Sequence, residues 1–352
     1  VRGIALLCGA LLLGGCTPGD IGTTPDAGTR APDAGGAVNV PGRREHVLEV
    51  DGVERRAVVY VGAGAEDRDA PVVFMFHGTT GDGARVYDTS GWREEADAAG
   101  FIAVFPTSLT WCFKEDDNRD GDYDDPGEAR ITTKWTNGKL GTDDGFPLCT
   151  PAELAQFSAA KQSECDHPVV DDVRFVDALV SLLGANHRVD PKRLYVSGFS
   201  NGASFTARLV VERSTVFAAA AIGSGKLAVE PLTAERPMGV VHWMGTEDGK
   251  FVPAGMTVEV SAQMLEQNAQ LDAAFIAPLR TVLGLAGTPA YQERTVGGTK
   301  VGTFRWTQGP DAGSPSYAYS FIDGMTHRYP AEAGGFSAAR YGWSFFSTQA
   351  LP

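Results

Sequence analysis

From residue 43 onward, apolar and polar positions fall into short runs that predict alternating strands and helices. EHVLEV-DG-VERRAVVYV alternates on either side of Asp51-Gly52, the pattern of two strands joined by a two-residue turn. PVVFMF (71–76) and FIAVFP (101–106) are solidly apolar, as strands buried on both faces are. Between them GWREEADAAG (91–100) reads as a helix closing on Gly100. Residues 171–184 predict a better helix: Asp171 and Asp172 cap it, Val176, Leu179, Val180 and Leu183 share a face, and Gly184 ends it. LYVSG (194–198) is a further buried strand, followed by a helix to about Val211. VFAAAAIG (216–223), MGVVHWMG (238–245) and SYAYSFIDG (316–324) continue the alternation, and AARYGWSFFSTQ supplies a last helix. The expected fold is α/β: a mostly parallel sheet with helices on both faces and an antiparallel hairpin at its start. No internal repeat is visible.

Two stretches break the rhythm. Residues 111–168 are polar and nearly free of core pattern, which predicts an insertion. Residues 253–315 hold the helix-like AQMLEQNAQLDAAFIAPL and two strand-like pieces. Long excursions after sheet strands tend to be functional, because ligands bind outside the strand carboxyl ends. Charge singles out the first of them. The 352 residues carry a net charge of −14, and residues 115–128 alone hold eight acids against Arg119. So acidic a chain repels phosphate, which argues against nucleic acid or an anionic membrane as partner.

The beginning of the sequence is of another kind. Residues 1–16, VRGIALLCGALLLGGC, have the layout of a secretory signal: one Arg, then an apolar run too short to span a bilayer. Val1 is expected to be an initiator from an alternative start codon. Leu13-Gly14-Gly15-Cys16 resembles a lipoprotein signal whose Cys16 would be lipidated, with a cleaved soluble signal as the alternative. Residues 17–42 are Gly, Pro, Thr, Ala and Asp without periodicity and read as a disordered tether with a reach of roughly 28 Å. Residues 43–352 form the expected catalytic domain. The expected location is the cell envelope or beyond it, with membrane contact only through the lipid.

The sharpest local signal is Gly198-Phe199-Ser200-Asn201-Gly202, a G-x-S-x-G between a buried strand and a helix. Its glycines let the backbone crowd into an elbow that lifts the Ser200 hydroxyl above the sheet edge. A tight turn with a surface serine is the plain alternative. A serine nucleophile needs a base, and the base an orienting acid, in the chain order Ser, acid, His. Of six histidines only His242 and His327 follow Ser200. His242 lies mid-strand and suits the core, whereas His327 sits in a loop after an apolar strand. Asp248, in MGTEDGKFVP, is the expected acid, with Glu247 and Asp323 as outsiders and an Asx-turn as its structural alternative. The oxyanion donors are expected to be the backbone N–H groups of Asn201 and of Thr79 in His77-Gly78-Thr79-Thr80-Gly81, which leaves His77 structural. Trp111, Trp135, Trp243 and Tyr329 could line an aromatic cleft, although core packing is the default for each.

With these residues in view, the chain resembles secreted α/β-hydrolases of the polyhydroxybutyrate depolymerase type, together with feruloyl and acetylxylan esterases of carbohydrate esterase family one. The resemblance runs through FHGTTGDG, W-x-x-x-A-x-x-x-GFIAVFP, HRVDPKRLYVSGFSNGASFTARL, VVHWMGTED and GFSAARYGWSFF. It implies Ser200, Asp248 and His327 as the triad and Thr79 and Asn201 as oxyanion donors. It also implies an ester substrate, polymeric in kind: acyl or feruloyl groups on polysaccharide, or a short-chain polyhydroxyalkanoate. Two departures bear on substrate: Gly-Met-Thr-His-Arg-Tyr-Pro where Gly-Gly-His-x-Trp-Pro is usual, and the acidic insertion. A peptidase or thioesterase on the same scaffold is the rival enzyme, and a non-catalytic, calcium-stabilised surface-binding lipoprotein is the rival outside enzymes.

Asp116, Asn118, Asp120, Asp122 and Asp124 match the first nine positions of a calcium loop, with Gly121 at the turn, although position twelve is Gly127 and not Glu. A structural Ca²⁺ and a solvated acidic loop are both open; the chemistry itself needs no cofactor. Cys112, Cys149 and Cys165 all fall in the insertion, and one bridge is expected among them in an exported protein, with three pairings open.

Overall fold

The computed structural model describes residues 37–352 apart from 117–119, 124, 126, 231–232, 310–314 and 332–334. The expected signal with Cys16, the tether up to residue 36, and Asn118 and Asp124 therefore lie outside the described residues.

In chain order the strands are β1 (Gly42–Val50), β2 (Val53–Val61), β3 (Ala70–Phe76), β4 (Ile102–Thr107), β5 (Thr110–Lys114), β6 (Ala129–Thr133), β7 (Val189–Phe199), β8 (Ala219–Gly223), β9 (Gly239–Gly245), β10 (Ala290–Val296), β11 (Thr299–Thr307) and β12 (Ser316–Ile322). Ten of them make one sheet in the order β1-β2-β4-β3-β7-β8-β9-β12-β11-β10. The centre from β4 to β12 is parallel, with antiparallel strands at both edges. This is the α/β-hydrolase architecture, with its N-terminal hairpin turning at Asp51 (φ 54°) and Gly52 (φ 77°). Positive φ at both turn residues matches the twist of the flanking strands, which is why Asp-Gly serves there.

β3, β8, β9 and β12 are buried along their whole length because helices cover both faces. Alternate residues of one strand therefore enter different cores. Phe74 and Phe76 pack with the helices Asp172–Asn186 and Asn201–Glu212, while Val73 and Met75 pack with Trp92 and Phe346 from the helices Trp92–Ala99 and Ala338–Phe346.

Several expectations shift. The helix after Asp171 runs through Gly184 to Asn186, since nothing at Gly184 forces a left-handed residue and His187 caps it instead. Asp171 caps this helix, whereas Asp172 is buried and paired with Arg55, which lies over the Phe175 ring. The helix-like 262–279 is broken into short turns around a π-helical stretch, Asp272–Ile276. The segment 111–168 is less free of core than its polarity suggests. β5 and β6 form their own ribbon, and Trp111, Phe113 and Trp135 are buried. One disulfide, Cys112–Cys149, closes the segment, leaving Cys165 as a partly exposed thiol.

Candidate active site

β7 ends at Phe199 and the next helix begins at Asn201, so Ser200 alone makes the corner. Its backbone sits at φ 55°, ψ −120°, a strained conformation for a residue with a side chain. Close packing holds it there. The Ser200 N–H donates to the Gly223 carbonyl (2.8 Å), and the Ser204 N–H to the Ser200 carbonyl (3.0 Å). A Cβ on Gly198 would lie 2.3 Å from the Gly202 carbonyl oxygen, and one on Gly202 equally close to that of Phe76. Both glycines are required by this approach of strand, helix and loop.

Two later loops bring the partners. β9 delivers Asp248 and β12 delivers His327, and the loops lock together where the Glu247 N–H donates to Met325 (3.0 Å) and the Gly324 N–H to the Thr246 hydroxyl (2.9 Å). His327 Nε2 stands 2.9 Å from Ser200 Oγ, and its Nδ1 stands 2.9 Å from each oxygen of Asp248. An ionised carboxylate can only accept, so Nδ1 carries the proton and Nε2 is left to accept from the serine. Asp248 is fully buried and also accepts from the Lys250 N–H (3.1 Å). Glu247 and Asp323 make no such contact with His327 among the described residues; Asp323 points out to solvent.

The other histidines take structural places. His77 is buried, accepts from the Ser108 N–H at Nε2 (3.0 Å) and donates from Nδ1 to the Gly78 carbonyl (2.7 Å). Burial pulls its pKa down to about 4. His242 is buried against Tyr317, and burial lowers it to about 3. Neither ring is available as a base for Ser200.

Ser200 and His327 open into a cleft of about 510 Å³ that Thr79 and Asn201 also line. A Cβ on Gly78 would touch that of Ser200 at 3.3 Å, so the loop carrying Thr79 passes directly over the serine. The insertion fastens this loop. Thr80 (φ 68°) donates its N–H to the Thr133 carbonyl (3.1 Å), Thr133 Oγ1 donates to Gly81 (2.7 Å), and Trp135 Nε1 donates to the His77 carbonyl (2.9 Å). The Trp135 N–H also donates to the Asn201 side-chain oxygen (2.7 Å). The segment 133–135 thus braces the loop of one expected donor and the side chain of the other. Nothing local in the sequence marks it.

Trp135 and Trp243 are fully buried and Trp111 nearly so, and none of these, nor Tyr329, lines the cleft. The aromatic lining comes instead from Phe146 and Phe251. In the acidic loop, the Asp116 carboxylate accepts the N–H groups of Asp120 (3.2 Å) and Gly121 (3.0 Å), and Asp120 that of Asp122 (2.8 Å). Among the described residues no three His, Cys, Asp or Glu side chains converge in a way that could hold a metal. Asn118 and Asp124, two of the five expected calcium ligands, lie outside the described residues, and no step of the chemistry is routed through a metal ion.

Residues 164–263, the stretch containing the elbow and Asp248, match the family model described as esterase PHB depolymerase. That segment is similar to this esterase family, and the match spans less than a third of the chain. A curated relative, the bifunctional acetylxylan esterase/xylanase XynS20E of Neocallimastix patriciarum, is 28% identical over 124 residues; the match covers 35% of this chain and 17% of the relative's length. Among solved structures, the acetyl xylan esterase from Aspergillus awamori superposes with a TM-score of 0.50 at 13% identity, covering 87% of this chain and 99% of that one. That likeness establishes the fold. A ferulic acid esterase from Anaeromyces mucronatus, solved with ferulic acid, gives a TM-score of 0.46 at 13% identity over 92% of this chain and 97% of that one.

Proposed function

We propose that this esterase hydrolyses carboxylic esters through an acyl-enzyme on Ser200, with His327 as base and Asp248 as its orienting acid. The observation that carries the reading is the unbroken hydrogen-bonded series from Ser200 through His327 to buried Asp248, on a strained elbow facing an open cleft. Ser200 Oγ attacks the ester carbonyl as its proton passes to His327 Nε2. The backbone N–H groups of Asn201 and Thr79 receive the oxyanion, and the start of the helix Asn201–Glu212 favours negative charge there. Imidazolium then protonates the leaving alcohol. Water, deprotonated by His327, releases the acid and restores the serine.

The proposed substrates are acyl or feruloyl esters of polysaccharide, or short-chain polyhydroxyalkanoate. The 510 Å³ cleft, large enough for a substituted ring or a few ester units, supports this breadth. We also propose an exported, lipid-anchored protein, a reading supported by the Cys112–Cys149 disulfide, which belongs to an oxidising compartment. The test compares the full chain with Ser200→Ala on 4-nitrophenyl acetate, methyl ferulate and a hydroxybutyrate dimer. Turnover of at least one ester, lost in the variant, is expected. A folded parent inert on all three would contradict the proposal.

A further inference from the structure

The protein as a whole is strongly acidic, yet its cleft is not. Among the described residues, Arg130, Lys134, Lys139, Lys226 and Lys250 line it against Glu115 and Asp116. Most of these cations have partners: Lys139 pairs with Asp144, while Arg130 and Lys250 each reach one oxygen of Glu115. Lys134 differs. The residue is 2% exposed, and among the described residues its ammonium makes one hydrogen bond, a long one of 3.5 Å from Nζ to Thr79 Oγ1. The ammonium rests over Phe146 (3.4 Å to the ring centre) and Phe113 (4.5 Å), and no carboxylate among the described residues lies within ion-pair distance. Glu115 is the nearby acid, but both its oxygens are engaged elsewhere.

An ammonium has three donors, and burying one without a counter-ion is costly. Aromatic faces recover part of that cost, but they leave donors free for an anion. Burial shows in the lysine itself, whose pKa falls to about 8, with Arg130 and Lys250 lowering it further and Glu115 opposing them. It stands beside the loop that carries the expected oxyanion donor Thr79, so an anion held there is part of the molecule being cleaved.

We propose that the cleft selects esters bearing a carboxylate close to the scissile bond, and that Lys134 is the residue that reads it. The inference rests on the esterase reading and narrows it. The carboxylate has two chemical sources, an acylated uronic acid or the free acid end of a hydroxyalkanoate oligomer, and both present the same group to the same ammonium. A charge-assisted hydrogen bond to a buried lysine separates anion from neutral isostere by about tenfold.

The experiment uses the full chain and two matched pairs. One is the hydroxybutyrate dimer as free acid and as N-methylamide; the other is acetylated methyl glucuronoside and acetylated methyl glucoside. The expected result is an acid-to-neutral ratio of kcat/KM near tenfold in at least one pair, carried mainly by KM and weakened by salt. The pair that shows it identifies the source. Lys134→Met, which keeps the length of the stem over the two rings, should bring the ratio close to one. A ratio near one in both pairs, or one that Lys134→Met leaves intact, would overturn the proposal. In parallel, the product acids and their amides are titrated into Ser200→Ala protein by calorimetry, with and without Lys134→Met. If the parent hydrolyses no ester, 4-nitrophenyl acetate included, the esterase reading fails by itself. The titration still decides the cleft: tighter, Lys134-dependent binding of the acids supports it, and equal binding refutes it.

Discussion

The two walls of the cleft are built by different physics. One is the carboxyl edge of the parallel sheet, where Ser200, Asp248 and His327 hang from β7, β9 and β12. It is close-packed to the point that Gly198, Gly202 and Gly245 have no room for a Cβ. The other is the insertion, a two-stranded ribbon closed by Cys112–Cys149 that brings Glu115, Asp116, Arg130, Lys134 and Phe146 to the cleft. The sheet wall fixes geometry to within a hydrogen bond, as bond-making requires. The insertion wall supplies charge and ring faces, as selection requires. Segment 133–135 joins them, since it is insertion by sequence but braces the loop over Ser200.

The sharpest break in that comparison is at the serine. Ser200→Ala should lower kcat by about 10⁴-fold or more while leaving thermal stability nearly unchanged. Single-turnover assays and melting curves read the two effects apart, and a similar loss from a distant insertion charge would erase the division between the walls. Trp135→Ala probes the joint. Removing a fully buried indole costs about 3–5 kcal/mol of stability. Because its Nε1 holds the His77 carbonyl, kcat should also fall in protein that remains folded at low temperature. Trp135→Phe should recover much of the melting temperature but less of kcat.

A smaller effect tests how dry the sheet wall is. His77 titrates near 4 when folded and near 6.5 when unfolded, so between these values only the unfolded chain takes up its proton. Its stabilising contribution is whole above about pH 6.5 and is lost as pH falls toward 4, on the order of 3 kcal/mol. In urea titrations the stability gap between parent and His77→Gln should narrow by that amount from pH 7 to pH 4; a constant gap would mean that water reaches the ring. The smallest effect belongs to the insertion wall. With Lys134 titrating near pH 8, and with Arg130, Lys250 and Glu115 beside it, any preference for anionic esters should fade between pH 7 and 9. A pH-independent preference would move the selection to Arg130 or another permanent charge.

These walls were unequally legible in the chain. Ser200, Asp248 and His327 could be read because each follows an apolar strand and chain order constrains which acid and which base can serve. The hairpin at Asp51-Gly52 and the buried strands were legible for the same local reasons. The insertion was not, because its order comes from partners far away in sequence. Trp135 stacks on Phe205 and meets Phe76 edge-on, and Asp172, which reads as a second cap, is instead the counter-ion of Arg55. A lone tryptophan in a polar run carries no periodicity, so core packing there is invisible until the chain is folded. Lys134 has no local mark at all; its burial is a property of the ribbon and the loop together.

The central claim, an acyl-enzyme on Ser200 driven by His327, is tested most directly by trapping. The full chain is incubated with diethyl 4-nitrophenyl phosphate, and the peptides are read by mass spectrometry. One nitrophenolate released per protein, one diethylphosphoryl group on the peptide containing Ser200, and parallel loss of ester turnover are expected. Turnover that survives the reagent, or a label on another residue that accounts for the inactivation, would contradict it.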